Sequence, residues 1–489
     1  MHKKAILIIL FLFINCMFNS ALIHSRPAGK KMNILVYPFQ YEGDRQYSWV
    51  AAGLTDTVIS DLNNINEISV FSDDDRKKAI REMELGMTGL FEDSTVVRVG
   101  SVMGANIIFA GSVQIHGNGV RINARLVNVE STRVEKTVRV DGSMEKIFEL
   151  QDSLVISLIT ETEKISLANL RQVAFKNDER KKVEEKYKPK REAWENYAKG
   201  LEVQDARPDM AFEFFKLAIA ADPEYIDAYI QAGYTAGSLL NYFTEALKYL
   251  KQAEELLIKK EMSVSKKYAD VMHFTGEVYY YKGQTDRALE YYLVSAGIRD
   301  SLGLQETDEY ADTLNTIGIV YRSKGMADKA LEYYNRADKI RKDLGLQNTD
   351  DYAALMNNIG LAYNGKGEPD KALEYYLLSK NIRERLGLHN SEGYAALMNN
   401  IGSIYTSKIE PDTALEYLLK SKEVYEKIGL DKTVGFGVLM SNIASAYEMK
   451  GDKELAGRYY RAAYETFVKT GYNGKWKDSA EKNAKRLGK

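Results

Sequence analysis

Residues 307–346 read TDEYADTLNTIGIVYRSKGMADKALEYYNRADKIRKDLGL, and residues 349–388 repeat the pattern as TDDYAALMNNIGLAYNGKGEPDKALEYYLLSKNIRERLGL. Four columns recur at a step of 42 residues across 265–460. Ser265, Thr307, Thr349, Ser391 and Thr433 form the first. Gly276, Gly318, Gly360 and Gly402, continued by Ala444, form the second. Tyr279, Tyr321, Tyr363, Tyr405 and Tyr447 form the third, and Ala288, Ala330, Ala372, Ala414 and Ala456 the fourth. A fixed period of this size means a solenoid, because each unit can bury its apolar face only against its neighbours.

Each unit reads as two antiparallel helices, A and B. The Ser or Thr column stands where an N-cap belongs, just before a periodic apolar run. Helix A then carries Tyr310, Leu314, Ile317, Gly318 and Tyr321 at helical spacing. Gly283, Gly325, Gly367 and Gly451 follow it, where a left-handed residue ends a helix. Ile409 breaks that column and predicts a distorted turn. The small Gly and Ala columns predict close approach of helices A and B, with the Tyr column filling the gap between units.

These residues resemble the tetratricopeptide repeat, and the long unit with its LGL ending is similar to the repeats of kinesin light chains. The ordinary unit is about 34 residues, so the extra length is expected in helix B and its exit loop. Less regular units begin at Trp194: residues 193–225 carry Ala211, Phe215, Ala218 and Pro223 in matching places, and a divergent unit follows. About seven repeats are expected over 193–474, closed by a polar capping helix over 475–489.

Composition is that of a folded protein, with 45% hydrophobic and 28% charged residues and only seven prolines. A net charge of −2 leaves no global electrostatic footprint for nucleic acid. Residues 1–25 read as a targeting segment: Lys3 and Lys4 precede an apolar run, Ala5 to Ile14, short for a membrane span and suited to a signal peptide. Cys16, the single cysteine, follows that run. Two routes stay open, cleavage near Ala21 or lipidation of Cys16. Both imply an exported protein, periplasmic or associated with the outer membrane.

Residues 32–163 read as an α/β domain. NILVYPF is a buried strand, YSWVAAGLTDTVISDLNNI an amphipathic helix, and EISVFS a second strand. Helices are expected over Asp73–Met83 and over 94–105. Three strands follow, NIIFAGSVQIH, GVRINARLVNVE and TRVEKTVRVDG, the first two joined by a turn at Gly117-Asn118-Gly119. A last helix is expected from Met144 to Glu163. These segments resemble the TolB amino-terminal-like family, which includes CsgG-like and FlgO-like envelope proteins. The resemblance implies a bacterial envelope setting and a role in assembly or interaction. Residues 164–192 read as a charged, solvated linker, helical up to Pro189. The fold expected is therefore an α/β domain, a mixed sheet with flanking helices, followed by an all-α right-handed superhelix of repeats.

The motifs of catalysis are missing. The chain has five histidines and no HExxH, Walker A or GxSxG pattern. Asp73, Asp74 and Asp75 lack calcium-loop spacing and read as helix-terminal charges. No catalytic residue, metal or cofactor is expected.

One row on helix A carries chemistry. Asn315, Asn357 and Asn399 lie three residues before the Gly column; Asn358, Asn400 and Asn442 lie two before it; Arg322 and Asn364 lie four after it. In the resembled family helix A lines the concave groove, and such Asn side chains grip an extended peptide. An amide both donates and accepts, so it can pair with any peptide backbone. The competing reading is that these amides bond neighbouring repeats and hold the superhelix. Arg299, Arg341 and Arg383 read as favourable charges at the end of helix B. The expectation is a non-enzymatic exported scaffold that binds a protein or peptide segment, with self-association through the α/β domain and membrane contact through a lipid anchor as further options. The alternatives are a ligand-responsive regulatory module and an oligomeric envelope-secretion component of the CsgG or FlgO type.

Overall fold

The computed structural model describes residues 32–63, 65, 68–71, 97, 99–101, 103, 105–162, 181, 183 and 186–487. The targeting segment with Cys16, the expected helix over Asp73–Met83, and most of the linker lie outside them.

The α/β domain is built on one sheet. Its strands are β1 (Met32–Val36), β2 (Gln40–Gly43), β3 (Ile68–Val70), β4 (Ile107–His116), β5 (Gly119–Asn128) and β6 (Arg133–Ser143). The order is β3-β1-β4-β5-β6, and β2 also pairs with β4. β1 and β2 run in succession along the same parallel edge of β4, Ile34 opposite Ile107 and Gln40 opposite Ser112. Pro38 between them has no N–H to give the ladder, so one extended run becomes two strands. β2 was not foreseen from sequence, because the short QYEG segment has no apolar alternation. β4 and β5 form a full antiparallel hairpin from Ile107–Asn128 to His116–Gly119. Its tip is Gly117 at φ 59°, the left-handed first position of a two-residue turn. α1 (Trp49–Leu62) and α2 (Ile147–Thr162) pack on the sheet.

Seven helix pairs follow among the described residues: α3 (Arg191–Val203) with α4 (Pro208–Ala221), α5 (Ile226–Tyr234) with α6 (Phe243–Lys259), α7 (Lys266–Tyr281) with α8 (Thr285–Ser301), α9 (Asp308–Ser323) with α10 (Ala327–Asp343), α11 (Asp350–Gly365) with α12 (Pro369–Arg385), α13 (Glu392–Ser407) with α14 (Pro411–Lys427), and α15 (Val434–Met449) with α16 (Lys453–Lys469). α17 (Lys475–Leu487) closes the end, burying Ala480 and pairing Arg486 with Glu448. Every Ser or Thr of the first column caps its helix, accepting from the backbone N–H three residues on, as Thr349 does from Tyr352 at 3.1 Å.

Three expectations change. The turn at Ile409 is not distorted: Ile409 takes φ 62°, and its N–H reaches Thr406 O at 3.1 Å, as Gly325 N–H reaches Arg322 O at 2.9 Å. The Tyr column does not bridge units. Each ring stacks on a helix B tyrosine of its own unit, such as Tyr321 on Tyr333 and Tyr405 on Tyr417, with centroids 5.4 and 5.6 Å apart. The space at the Gly column is filled instead by a helix B side chain; a Cβ on Gly360 would sit 2.5 Å from the ring of Tyr376. The extra residues of the long unit make a second left-handed exit turn, at Gly303, Gly345, Gly387 and Gly429.

The linker is the third correction. Its end is not a solvated connector: Lys186 pairs with Asp61 at 2.5 Å and with Asp152 at 3.3 Å, and Lys188 pairs with Asp152 at 2.5 Å. The first solenoid helix continues that attachment. Trp194 and Ala198 on α3 belong to the core of the α/β domain, while Ala193 and Tyr197 on the same helix belong to the core of the solenoid. The Trp194 ring meets Trp49 edge-on at 5.3 Å and Phe148 at 5.6 Å. Gly53 makes room for it; a Cβ there would lie 2.7 Å from the indole. Tyr197 donates its hydroxyl proton to Asp56 at 3.1 Å. One amphipathic helix thus serves two cores, its two faces buried on either side.

Candidate functional site

Successive A helices pack against one another more closely than successive B helices do, which sets the A helices on the inside of the curve. The Asn row lies on these helices. The structure joins six of its members in three bonds between adjacent units. Asn358 Nδ2 donates to Asn315 Oδ1 at 3.1 Å, Asn400 to Asn357 at 3.0 Å, and Asn442 to Asn399 at 2.8 Å. The geometry therefore realises the inter-repeat bond. It also leaves capacity, because each bond uses one N–H and one lone pair of amides that offer several. Five of the six are half-buried, and Asn315 is buried.

The row ends where its chemistry changes. Thr316 turns its hydroxyl to Asp312 O of its own helix at 2.9 Å, and Ser441 to Gly437 O at 3.3 Å. Neither can span the gap between units that an amide spans.

Arg322 stands one turn along α9 from this row. It is half-buried, and its Nε–H has no acceptor. Two buried tyrosine hydroxyls from helix B, those of Tyr334 and Tyr376, lie near its guanidinium, that of Tyr334 within hydrogen-bonding reach. Burial pushes Tyr334 up to about 12, against the opposing pull of Arg322. Tyr376 is raised for the same reason. Both tyrosines are fully buried, so of the three side chains only Arg322 is in part exposed. Asn364, further along α11, is exposed and joins none of these bonds.

The Arg column has a role that sequence spacing did not reveal. Arg341 and Arg383 are 2% and 4% exposed, so the reading as helix-terminal surface charges does not hold. Arg341 Nε donates to Asp308 at 2.7 Å and its terminal nitrogen to Asp351 O at 3.1 Å in the next unit. Arg383 does the same with Asp350 at 2.6 Å and Gly393 O at 3.2 Å. Each guanidinium clasps helix B to its own helix A and to the helix A that follows. The signal was present in the sequence as the acidic residue after the N-cap, Asp308 and Asp350, which recurs with the same period.

Among the described residues, no group of three or more His, Cys, Asp or Glu is placed to hold a metal ion, and no helix is long and apolar enough to cross a membrane. Burial lowers His273 to about 3, so it is neutral.

Tetratricopeptide-repeat profiles match residues 311–344 and 351–427. The units within these residues are tetratricopeptide repeats. Proteins built from such repeats generally bind protein or peptide partners. Among solved structures the chain is similar to a STAND protein with a tetratricopeptide repeat sensor from Pyrococcus horikoshii, at 16% identity and TM-score 0.49, over 71% of this chain and 50% of that one. It is also similar to kinesin-light-chain TPR-like repeats of Podosopora anserina, at 16% identity and TM-score 0.36, over 42% of this chain and 97% of that one. A protein of Rhizobium meliloti (strain 1021) named "Putative adenylate cyclase 3" is 26% identical over 130 residues, 26% of this chain. The chain spans about a fifth of that relative's length, 20%.

Proposed function

We propose that this chain is an exported, non-catalytic scaffold of the bacterial envelope that holds an extended protein segment against the inner face of its A helices. The observation that carries the reading is the spare hydrogen-bonding capacity of the half-buried Asn row, with Arg322 one turn away. Each bond between units leaves an N–H and lone pairs of its two amides unused, and five of the six Asn side chains are half-buried; an extended backbone supplies the matching groups. The amide bonds between units keep the row in register, so the segment meets an ordered row instead of mobile side chains. The α/β domain anchors the solenoid through Trp194, and its resemblance to the TolB amino-terminal-like group supports an envelope setting. Residues 1–25 direct export, with either cleavage or lipidation at Cys16.

The test is capture from an envelope extract by the wild type and by Arg322→Ala/Asn364→Ala, which leaves the three amide bonds and the Arg clasps untouched. A partner held by the wild type and lost from the variant, with equal circular dichroism, supports the groove. Identical capture by both sinks it. Mass spectrometry of the mature protein from the native host separates cleavage from lipidation, and finding the intact first 25 residues contradicts export.

A further inference from the structure

The long units are near copies of one another, so a unit that departs from the pattern shows what the shared design no longer supplies there. In two units the carboxylate directly after the N-cap of helix A takes the Nε–H of the clasp arginine, Asp308 from Arg341 at 2.7 Å and Asp350 from Arg383 at 2.6 Å. In the unit before them, the residue after the N-cap Ser265 is Lys266. Arg299 is buried like its counterparts, at 4% exposure. Its terminal nitrogens reach Ser295 and, at 2.5 Å, Asp270. Its Nε–H has no acceptor. An unsatisfied buried donor is expensive to keep, and the sibling units show that this position normally has a carboxylate on it.

A cavity of about 40 Å³ borders Arg299 and Lys266. Lys266, Arg299 and Glu309 form its wall on the solenoid side, and Ile68, Ser69 and Val70 of β3 form the wall on the α/β side. Among the described residues β3 is the outermost strand of the sheet on that side. A cavity of this size has room for more than one water molecule. Lys266 donates to Glu309 at 2.7 Å, which leaves its ammonium further donors.

We propose that this seam between the two domains binds a small monocarboxylate, whose oxygens accept from Arg299 Nε and Lys266 Nζ as Asp308 accepts from Arg341 in the next unit. The charge balance selects a single negative group. Lys266 and Arg299 already face Glu309 and Asp270, which disfavours a doubly charged phosphate. A further single carboxylate matches the next unit, where Asp308 and Asp312 both approach Arg341, at 2.7 and 3.8 Å. Bound there, the ligand ties β3 to the third helix pair and links the two domains at a second point, away from Trp194. The proposal is independent of the groove.

The experiment is thermal unfolding and calorimetric titration of the full chain with sodium acetate, at ionic strength held constant with sodium chloride and with phosphate as the second anion. Acetate at about 100 times its Kd is expected to raise Tm by roughly 3 °C, with no such rise in phosphate. Lys266→Asp rebuilds the missing carboxylate from within at the cost of the Lys266–Glu309 pair; with its circular dichroism matching the wild type, it is expected to bind acetate at least about tenfold more weakly. Arg299→Lys keeps the charge, removes Nε and is expected to lose the response. No acetate response in the wild type, an equal response in phosphate, or an unchanged response in both variants overturns the proposal.

Discussion

Replacing Ile409 by glycine should stabilise the protein, although the substitution deletes a large apolar side chain. Ile409 ends α13 at φ 62°. In the other long units the same place belongs to Gly283, Gly325, Gly367 and Gly451, at φ between 72° and 83°, with open space where a Cβ would stand. For a residue with a Cβ this conformation costs about 1–2 kcal/mol, with β-branched residues at the upper end. The side chain offers little in return, because Ile409 is 75% exposed. The quarter that is covered is worth about 0.5 kcal/mol. Glycine loses up to about 1 kcal/mol more backbone entropy on folding. The strain exceeds these two together by roughly 0.5 kcal/mol, in favour of Ile409→Gly. Urea denaturation of the full chain, followed by circular dichroism, measures it: the midpoint should rise with the slope unchanged. The mirror substitution, Gly367→Ile, should lower the midpoint by at least as much. Destabilisation by Ile409→Gly, with Gly367→Ile neutral, would refute the reasoning, for it would mean that the turn is held by the Ile side chain and not endured by it.

Arg383→Met should cost about 3 kcal/mol, because it takes the guanidinium from Asp350 and from Gly393 O; the double variant with Asp350→Asn should recover part of that loss in the same denaturation series. Trp194→Ala should cost about 3–5 kcal/mol and should loosen the two domains from each other, seen as faster proteolysis between them while the repeats keep their helical signal. Asp61 titrates in an unusual direction: burial, only partly opposed by Lys186, raises it from 3.8 to about 6. The folded state therefore holds that proton longer than the unfolded chain, and this group's contribution to stability is lost as pH rises from about 4 to about 6. Asp61→Asn removes the loss, so the stability of the variant relative to wild type should grow across that window by up to about 3 kcal/mol; a flat difference would show that Asp61 is an ordinary carboxylate.

Much of this molecule is legible in one dimension because its decisive signals are local. An N-cap such as Thr349 bonds three residues away, and a left-handed glycine such as Gly325 ends its own helix, so both recur visibly with the unit. The hairpin at Gly117 is equally local. Side chains that act between units are harder to read. Asn358 and Asn315 are 43 residues apart, and nothing in the sequence says whether such amides face each other or a partner. The Arg column looked like surface charge because burial is a property of the stack; Arg341 is enclosed only when α9, α10 and α11 come together.

The sequence by itself determined the period, the helix pairs with their caps and glycine turns, the strands of the first domain other than β2, and the row of amides on helix A. Those follow from local backbone preferences and apolar periodicity, which any short window carries. Only the tertiary structure decided that the amides bond across units, that the arginines clasp three helices, that Trp194 belongs to two cores, and that Lys266 leaves a cavity beside Arg299. Each of these depends on the curvature of the solenoid or on its docking to the sheet. Those in turn are set by packing between segments distant in the chain, such as Tyr197 with Asp56 across 141 residues.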